Sequence, residues 1–464
     1  MDQNRPYFFC GIGGSGMLPL AQIVREKGVK VAGSDRALDQ GRTAPKFEFL
    51  KSQGIDLFVQ DGSGVTDPRQ IVVASAAVED TVPDIVAARR VGATILRRAE
   101  LLSGLFNDAP VSIGVAGTSG KSTTTGMIGW ILKATGRDPT VMNGAVMTNF
   151  VSPDVPFASS LVGKSGIFVS EVDESDGSIA QYTPVVAVLN NISLDHKTMD
   201  ELRALFRDYL AKARVAVLNL DNAETVALLP GARKAITYSL VDRYADLFAS
   251  GIRPAPDGIA FDLAAHDANW RVTLKVPGRH NVSNALAALA AAEAAGVPLA
   301  ESVPAIAEFR GVRRRLEVIG TANGVTIIDD FAQNPHKIAA TLSTLHDFPG
   351  RLLVMFQPHG FGPLTKMRSE FVEGFAADLA KDDVLLMPEP VYFGGTTTRE
   401  TTSEDITAGI RAKGRNAMAL TDRAACGVKL LEMAKPGDRI VVMGARDDTL
   451  TTFAQDILAA IAKR

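Results

Sequence analysis

The amino-acid sequence predicts an α/β protein of three domains, on three observations. Its 464 residues are too many for one ordinary domain, and a length of about 150 residues per domain gives roughly three. Short apolar runs alternate with longer amphipathic segments along the chain, which is typical of parallel sheets flanked by helices. Two glycine-rich turns each join a predicted strand to a predicted helix.

The composition excludes several classes of protein. The hydrophobic fraction of 46% and the charged fraction of 22% are those of a globular chain. A formal net charge of −3 argues against a general nucleic-acid binder, which usually has a basic surface. Cys10 and Cys426 form no paired motif, so we expect a reducing compartment. The sequence lacks a signal-peptide pattern and an apolar run of about 18 residues. We therefore expect a cytoplasmic protein without membrane or nucleic-acid partners.

The first predicted domain spans residues 1–108. Strand-like apolar runs occur at 7–10, 29–33 and 71–76. The segment 107–110 contains Asn, Asp and Pro, which break the α/β pattern. We therefore expect the domain to end there.

The second predicted domain spans residues 109–310. It opens with a strand and a helix that starts near Gly120, and it closes with an alanine-rich helix at 281–296. Residues 238–275 contain shorter apolar pieces, which predicts an antiparallel insertion. The strand-like segments are 111–116, 166–171, 185–192 and 215–220.

The third predicted domain spans residues 311–464. Helical stretches separate its apolar runs, which again favours a parallel sheet. The candidate strands are 325–329, 351–357, 383–387 and 439–445.

The first glycine-rich turn has the pattern G-x-G-x-x-G. It comprises Gly11, Gly13, Gly14, Ser15 and Gly16. Such a turn lets the backbone approach a diphosphate, whose charge the helix N-terminus stabilises. NAD or FAD is one possible ligand, another diphosphate is a second, and tight packing without a ligand is a third. Ser34 and Asp35 end the next predicted strand, where the dinucleotide fingerprint has a polar residue.

The second turn is the stronger signal. It comprises Gly117, Thr118, Ser119, Gly120, Lys121, Ser122 and Thr123. Backbone N–H groups of such a turn surround phosphates, Lys121 neutralises the β/γ charge, and the Ser122 hydroxyl can bind Mg²⁺. Val115 stands where the general P-loop has glycine, so the turn is a compact variant. One diphosphate turn and one triphosphate turn favour a nucleotide-linked substrate with ATP over a dehydrogenase.

Further motifs resemble those of the Mur ligases, which build the peptide stem of bacterial cell-wall precursors. They are E-V-D-E-S-D at 171–176, N-N-I at 190–192 with D-H at 195–196, G-R-H-N-V-S-N-A at 278–285, G-V-R-R-R-L-E at 311–317 and D-D-F-A at 329–332. The resemblance covers nearly the whole chain. In the first domain, G-I-G-G-S-G-M at 11–17 and R-A-E-L-L at 98–102 are similar to two branches of the family. One branch joins L-alanine to UDP-N-acetylmuramate, and the other returns a tripeptide to the same nucleotide sugar.

The resemblance implies a Rossmann-like first domain, a P-loop ATPase-like central domain and a Rossmann-like third domain. It implies a ligase that uses ATP with Mg²⁺ or Mn²⁺ to activate a carboxylate as an acyl phosphate and to couple it to an amine. The implied partners are a UDP-linked sugar acid and an amino acid or short peptide, bound by a monomer or a homodimer. The first turn would then hold UDP and not NAD.

The resemblance also assigns residues. Lys121, Glu171 and His196 would be catalytic, with Ser122, Glu171 and His196 as metal ligands. Asn281 and Asn284 would lie near the nucleotide, although two polar residues at a helix start are equally well explained as structural.

In the third domain, Arg315 and Asp330 would contact ATP. A solvated surface is the alternative for Arg315, which is one of three consecutive arginines. An N-cap for a helix that begins near Pro335 is the alternative for Asp330.

Four departures from the family pattern leave the substrates open. The second turn has Ser119 and Ser122 where most relatives have His and Thr, and the loop after His196 is shortened. Gln333 and Asn334 replace two histidines, and two arginines of the next motif are Gly360 and Pro363. The lost guanidinium groups would bind anions, and Lys366 or Arg368 could replace them only in part.

Three hypotheses follow. The first is the ligase with UDP-N-acetylmuramate and L-alanine, or a Mur-like paralogue with a different amine. The second is a nicotinamide oxidoreductase, whose reaction would give the second turn no ligand to bind. The third is a Mur-like protein that binds nucleotides without turnover.

Overall fold

The computed structural model describes residues 1–76, 78–194, 197–255, 258–390, 400–445, 447 and 449–464. The chain forms two compact units. The first contains Met1–Arg253 and Gly258–Val312, and the second is built from Arg313–Arg464. The first unit contains two of the three sheets.

The first sheet is parallel, with the order β3-β2-β1-β4-β5. Its strands are β1 Tyr7–Cys10, β2 Val31–Ser34, β3 Asp56–Phe58, β4 Ile71–Ala74 and β5 Thr94–Arg97. The helices are α1 Met17–Glu26, α2 Arg36–Asp39, α3 Ala44–Ser52, α4 Pro83–Val91 and α5 Arg98–Asn107. All residues of β1, β2 and β4 are buried, as expected for strands covered on both faces. The first glycine turn leaves β1, the middle strand.

The second sheet has the order β15-β14-β13-β12-β11-β10-β6-β9-β7-β8. Its first strands are β6 Val111–Ala116, β7 Thr140–Met142, β8 Ser160–Leu161, β9 Ile167–Glu171 and β10 Val186–Leu189. The others are β11 Val215–Asn219, β12 Ala235–Ser239, β13 Leu247–Ala255, β14 Gly258–Ala265 and β15 Ala268–Leu274. The strands from β13 to β7 that surround β6 pair in parallel. The second glycine turn leaves β6, between β10 and β9.

Five helices pack on this sheet. They are α6 Lys121–Ala134, α7 Met199–Lys212, α8 Ala223–Val226, α9 Arg279–Ala294 and α10 Leu299–Ala307. Helix α9 is alanine-rich, and its residues from Ala285 to Ala292 have no exposed surface. Small side chains let α9 lie close to α6, with which it makes extensive contact. The start of α9 is thereby held against the second glycine turn.

The third sheet has the order β16-β17-β21-β18-β19-β20. Its strands are β16 Glu317–Ala322, β17 Val325–Asp330, β18 Leu352–Gln357, β19 Val384–Pro388, β20 Asn416–Leu420 and β21 Arg439–Gly444. Among the residues that the structure describes here, only β16 pairs antiparallel to its neighbour. The helices are α11 Pro335–His346, α12 Phe361–Lys366, α13 Arg368–Asp378, α14 Ser403–Ala412, α15 Arg423–Met433 and α16 Thr449–Ala462.

The α/β class predicted from the sequence is confirmed, and each predicted strand has its counterpart among the buried strands. The antiparallel insertion is confirmed in β14 and β15, whose residues pair from Ile259↔Leu274 to Ala265↔Ala268. Strands β12 and β13 of the same region pair in parallel, which the sequence did not predict. In the part of the chain that the structure describes, no helix combines the length and apolar character that a membrane crossing requires.

Candidate active site

The second glycine turn is packed so tightly that a side chain at either of its two glycines would be strained. Gly117 and Gly120 have φ values of +119° and +85°, which L side chains rarely adopt. A Cβ atom on Gly117 would lie 2.8 Å from the Asn191 carbonyl oxygen, and one on Gly120 would lie 2.8 Å from Asn190 Nδ2. The turn therefore takes its shape from the segment that follows β10.

Two asparagines after β10 hold the backbone of the turn. The Ser119 N–H donates to Asn191 Oδ1 at 2.9 Å, and Asn191 Nδ2 donates back to the Ser119 carbonyl at 3.2 Å. Asn190 Nδ2 donates to Thr124 Oγ1 at 3.0 Å. The Thr118 N–H donates to the Asn191 carbonyl at 3.0 Å. These hydrogen bonds fix the turn before any ligand binds.

Asn284 lies against the same turn. Its Oδ1 accepts from Thr124 Oγ1 at 3.3 Å, and its Nδ2 donates to Asn281 Oδ1 at 3.1 Å. Asn281 in turn donates to the Pro277 carbonyl at 2.7 Å. Both asparagines are buried: Asn281 is 4% exposed and Asn284 is 7% exposed. Asn284 thus contacts the turn directly, whereas Asn281 contacts Asn284.

Lys121 is the first residue of α6, and its ammonium group is paired with Glu174. Lys121 Nζ lies 3.0 Å and 3.2 Å from the two oxygens of Glu174, and it also donates to the Gly117 carbonyl at 2.7 Å. The Glu174 side chain is 6% exposed and that of Lys121 is 19% exposed. This largely buried pair is stronger than a surface ion pair.

Ser122 follows Lys121 in α6, and Glu171 ends β9, where it lies in register with Val115 of β6. The Gly144 N–H donates to Glu171 Oε1 at 2.6 Å, which leaves the second carboxylate oxygen available. Hydroxyl and carboxylate oxygens are the donors that Mg²⁺ prefers. The described residues contain no cluster of three His, Cys, Asp or Glu side chains for a metal. The Ser122 hydroxyl and the Glu171 carboxylate fit a Mg²⁺ ion by the chemistry of their oxygens. Asp195 and His196 lie outside the described residues.

The first glycine turn is supported by Asp35. The Gly13 N–H donates to Asp35 Oδ2 at 2.8 Å, and Asp35 Oδ1 accepts from the Ala37 N–H at 2.8 Å as the N-cap of α2. Gly14 and Ser15 are exposed, so one side of the turn is open. Lys46 Nζ donates to the Gly13 carbonyl at 3.2 Å. The turn therefore has an open face at the N-terminus of α1 and a cation beside it.

Ser34 lies inside the first domain. It has no exposed surface, and its hydroxyl donates to Asp84 Oδ2 at 2.5 Å. The other oxygen of Asp84 accepts from the Gly62 N–H at 3.0 Å. Burial raises the pKa of Asp84 above its ordinary value, although these hydrogen bonds oppose the shift. The Ser34 side chain thus stabilises the C-terminal end of β2 from within the core.

In the second unit, Asp330 ends β17 and is 6% exposed. Its carboxylate accepts from the Leu316 N–H at 2.7 Å, the Ala332 N–H at 2.8 Å and Thr341 Oγ1 at 3.2 Å. Burial raises the pKa of Asp330, against the effect of these hydrogen bonds and of Arg315. The N-cap of α11 is Asn334, whose side chain accepts from the Lys337 N–H at 2.9 Å. The alternative prediction that Asp330 caps this helix was wrong.

Two of the three consecutive arginines contact Phe331. The guanidinium carbons of Arg314 and Arg315 lie 5.2 Å and 4.5 Å from the ring centroid, within the range of cation–π attraction. Arg314 is 8% exposed and donates to the Gly444 carbonyl at 2.7 Å and to Asp329 Oδ1 at 3.3 Å. Arg314 is therefore a buried member of this run of arginines. Arg315 stays partly exposed.

Comparisons with known proteins agree with this geometry. Three family descriptions match the chain: "Mur ligase family, catalytic domain" at residues 6–109, "Mur ligase middle domain" at 115–292 and "Mur ligase, glutamate ligase domain" at 314–446. The UDP-N-acetylmuramate–L-alanine ligase of Agrobacterium fabrum is 34% identical over 95% of this chain and 94% of its own. That of Streptomyces coelicolor is 34% identical over 99% of this chain and 98% of its own.

The chain belongs to the Mur ligase family. The crystal structure of a UDP-N-acetylmuramate–alanine ligase from Thermotoga maritima has the same fold, with a TM-score of 0.80, 23% identity and coverage of 99% of both chains. The family resemblance predicted from the motifs is thereby confirmed, as is the α/β Mur ligase fold.

Sequence reasoning missed two groups that organise the site of this Mur ligase. Asn190 and Asn191 were noted only as part of a motif, yet they hold the second turn. Glu174 had no predicted role, yet it binds Lys121. A signal for Glu174 was present, since four carboxylates within six residues would repel one another without nearby cations.

The departures from the Mur ligase pattern have structural consequences. Asn334 caps α11, so the residue in place of a histidine has a local structural role. Gly360 precedes α12 with φ +150°, and Pro363 lies within that short helix. Lys366 is exposed, and the Arg368 guanidinium lies 3.6 Å from Asp405.

Proposed function

We propose that this chain is an ATP-dependent ligase that activates the carboxylate of UDP-N-acetylmuramate as an acyl phosphate and couples it to L-alanine. The observation that carries the proposal is the second glycine turn, with Lys121 buried beside a set of oxygen ligands. The names of the full-length relatives support the choice of substrates.

The reaction explains why cations are needed at the turn. A carboxylate oxygen is a poor leaving group until it accepts a phosphoryl group, and the amine then displaces phosphate through a tetrahedral intermediate. Negative charge therefore accumulates between the nucleotide and the acid in both steps. Lys121 would stabilise the transferring phosphoryl group once it leaves Glu174. The backbone N–H groups of residues 117–122 would hold the β- and γ-phosphates.

Ser122 and Glu171 would hold Mg²⁺, and His196 remains a proposed ligand of a second divalent ion. The bound ion would neutralise phosphate charge during transfer. Asn284 is a candidate contact for the nucleotide, with Asn281 orienting it. Arg315 and Asp330 remain proposed contacts of ATP.

The first glycine turn would bind the UDP part of the acid substrate. Its open face at Gly14 and Ser15 and the N-terminus of α1 suit a diphosphate. The same geometry suits NAD, but an oxidoreductase would not need the arrangement around Lys121. We also propose that the enzyme acts in the cytoplasm, where its co-substrate ATP is available.

A Mur-like paralogue with a different amine substrate is the second candidate. Gly360 and Pro363 favour it, because neither side chain can make the bidentate contacts that an arginine makes with a carboxylate.

One experiment tests both candidates. Purified protein is incubated with ATP, Mg²⁺, UDP-N-acetylmuramate and each of a set of amino acids and short peptides, and phosphate release and product mass are measured. Release that requires the nucleotide sugar and L-alanine supports the first candidate. Release with another amine only supports the paralogue, and no release with any amine contradicts both.

A further inference from the structure

Arg98 lies between the first glycine turn and the residues around the second. It is the first residue of α5, and its side chain is 21% exposed. On one side, a Cβ atom added to Gly16 would lie 3.2 Å from Arg98 Nη1, so the guanidinium group lies beside Gly16, the N-cap of α1. On the other side, Arg98 Nη2 lies 3.8 Å from Asp176 Oδ2.

Asp176 ends an acidic segment, residues 171–176, which carries four carboxylates on Glu171, Asp173, Glu174 and Asp176. Glu174 binds Lys121 of the second turn, and Asp176 faces Arg98 of the first. One cation from the neighbourhood of each turn therefore balances the acidic segment.

Hydrogen bonds make this segment a defined structural unit. The Ser175 N–H donates to Asp173 Oδ1 at 2.9 Å, and the Ser178 N–H donates to Asp176 Oδ1 at 2.9 Å. The Ile179 N–H donates to the Asp173 carbonyl at 3.1 Å. Since the carboxylates are held in fixed positions, a change of charge at one end alters the electrostatic potential at the other.

We propose that Arg98 binds the anionic group held at the first glycine turn and, through Asp176, couples occupation of that turn to the binding of Mg²⁺ and nucleotide at the second. The proposal rests on the proposed function, because it needs a diphosphate at the first turn and ATP at the second. It adds a binding residue and a link between the two sites.

The direction of the coupling follows from charge. A diphosphate at the first turn draws the guanidinium group of Arg98 towards itself, so Asp176 loses part of its neutralisation. The acidic segment then attracts a divalent cation more strongly at Glu171. A ligand at the first turn therefore tightens the binding of Mg²⁺ with nucleotide, and by thermodynamic reciprocity the reverse also holds.

Titration calorimetry with two ligands tests this. The dissociation constant of a non-hydrolysable ATP analogue with Mg²⁺ is measured with and without saturating UDP, and the ratio gives the coupling. We expect a ratio of about five or more in the wild type. The Asp176→Asn variant should still bind UDP but give a ratio near one, and its amide oxygen can still accept from the Ser178 N–H. Arg98→Ala should weaken UDP binding by about tenfold or more, because a charge-assisted contact is lost.

Arg97→Ala is the matched control, because Arg97 is exposed and adjacent in sequence. It should give the wild-type UDP affinity and ratio. A wild-type ratio in Asp176→Asn, or wild-type UDP affinity in Arg98→Ala, would overturn the proposal while leaving the proposed function intact. Failure of the wild type to bind UDP at all would overturn both.

Discussion

Glu174 pairs with the ammonium group that we propose binds ATP, and replacing Glu174 with glutamine tests this proposal. Lys121 Nζ donates to both Glu174 oxygens, at 3.0 Å and 3.2 Å. A phosphate that binds Lys121 must displace this carboxylate and also approach its negative charge. Glu174→Gln removes that charge and keeps the shape of the side chain.

The expected magnitude follows from the burial of the pair. Hydrogen bonds to charged groups contribute about 1.5–3 kcal/mol, and screening is weak because Glu174 is 6% exposed. Since about 1.4 kcal/mol is tenfold in a dissociation constant, Glu174→Gln should bind an ATP analogue without Mg²⁺ about 10- to 100-fold more tightly. Titration calorimetry in the presence of EDTA measures this. Working without Mg²⁺ separates the effect from metal binding at the acidic segment.

Asp208→Asn is the matched control. Asp208 also pairs with a lysine, Lys212, at 2.6 Å, but it is 54% exposed and lies on α7. Its substitution should leave the affinity for the nucleotide unchanged. An affinity of Glu174→Gln equal to or weaker than that of the wild type would refute the account of how Lys121 is held.

Three further predictions concern the two turns and their support. Lys121→Ala should lower kcat by about 100- to 1,000-fold, measured as phosphate release, with an unchanged circular dichroism spectrum. Gly120→Ala should weaken binding of the ATP analogue by about tenfold or more, because a Cβ at φ +85° costs about 1–2 kcal/mol and also collides with Asn284. Asp84→Asn should make stability depend less on pH. Burial raises the folded-state pKa of Asp84, so its contribution is present below the ordinary value of about 4 and is lost as pH rises through the folded-state value. Urea unfolding between about pH 4 and pH 7 should therefore show a smaller loss of unfolding free energy in the variant.

Each of these three variants has a control variant in the first unit of the chain. Lys133 lies at the other end of α6 in an exposed pair with Asp138, so Lys133→Ala should keep the wild-type rate. Gly136 has φ +76° with no neighbouring atom near a Cβ, so Gly136→Ala should keep nucleotide affinity. Asp80→Asn, at an exposed pair with Arg89, should keep the pH dependence of the wild type. Equal behaviour of a variant and its control would contradict the role assigned to that residue.

Strands at the middle of each sheet could be predicted from the sequence, because they are apolar along their whole length. Strand β18, for example, is buried at all six residues. The sequence did not predict the edge strands, because they are not apolar along their length. Strand β3 has three residues with two exposed, and β16 has two exposed residues and no fully buried one. A short segment half in solvent has no apolar run that separates it from a loop.

The site was predictable as far as local motifs extend. The turn around Lys121 and the residue Glu171 follow from motifs whose residues lie close in sequence. The pairing of Lys121 with Glu174 could not be predicted from local motifs. The two residues are 53 positions apart in sequence, and they meet only because of how the acidic segment folds. Arg314 illustrates the same limit. Its φ of +59° turns this side chain into the core, and a run of three arginines gives no sign of which one is buried.

Transfer of oxygen from substrate to phosphate tests the central claim most directly. UDP-N-acetylmuramate labelled with ¹⁸O in its carboxyl group is incubated with the protein, ATP, Mg²⁺ and L-alanine, and the released phosphate is analysed by mass spectrometry. If the carboxylate is activated as an acyl phosphate, each phosphate released carries one labelled oxygen. Released phosphate without the label, formed together with the amide product, would contradict the account.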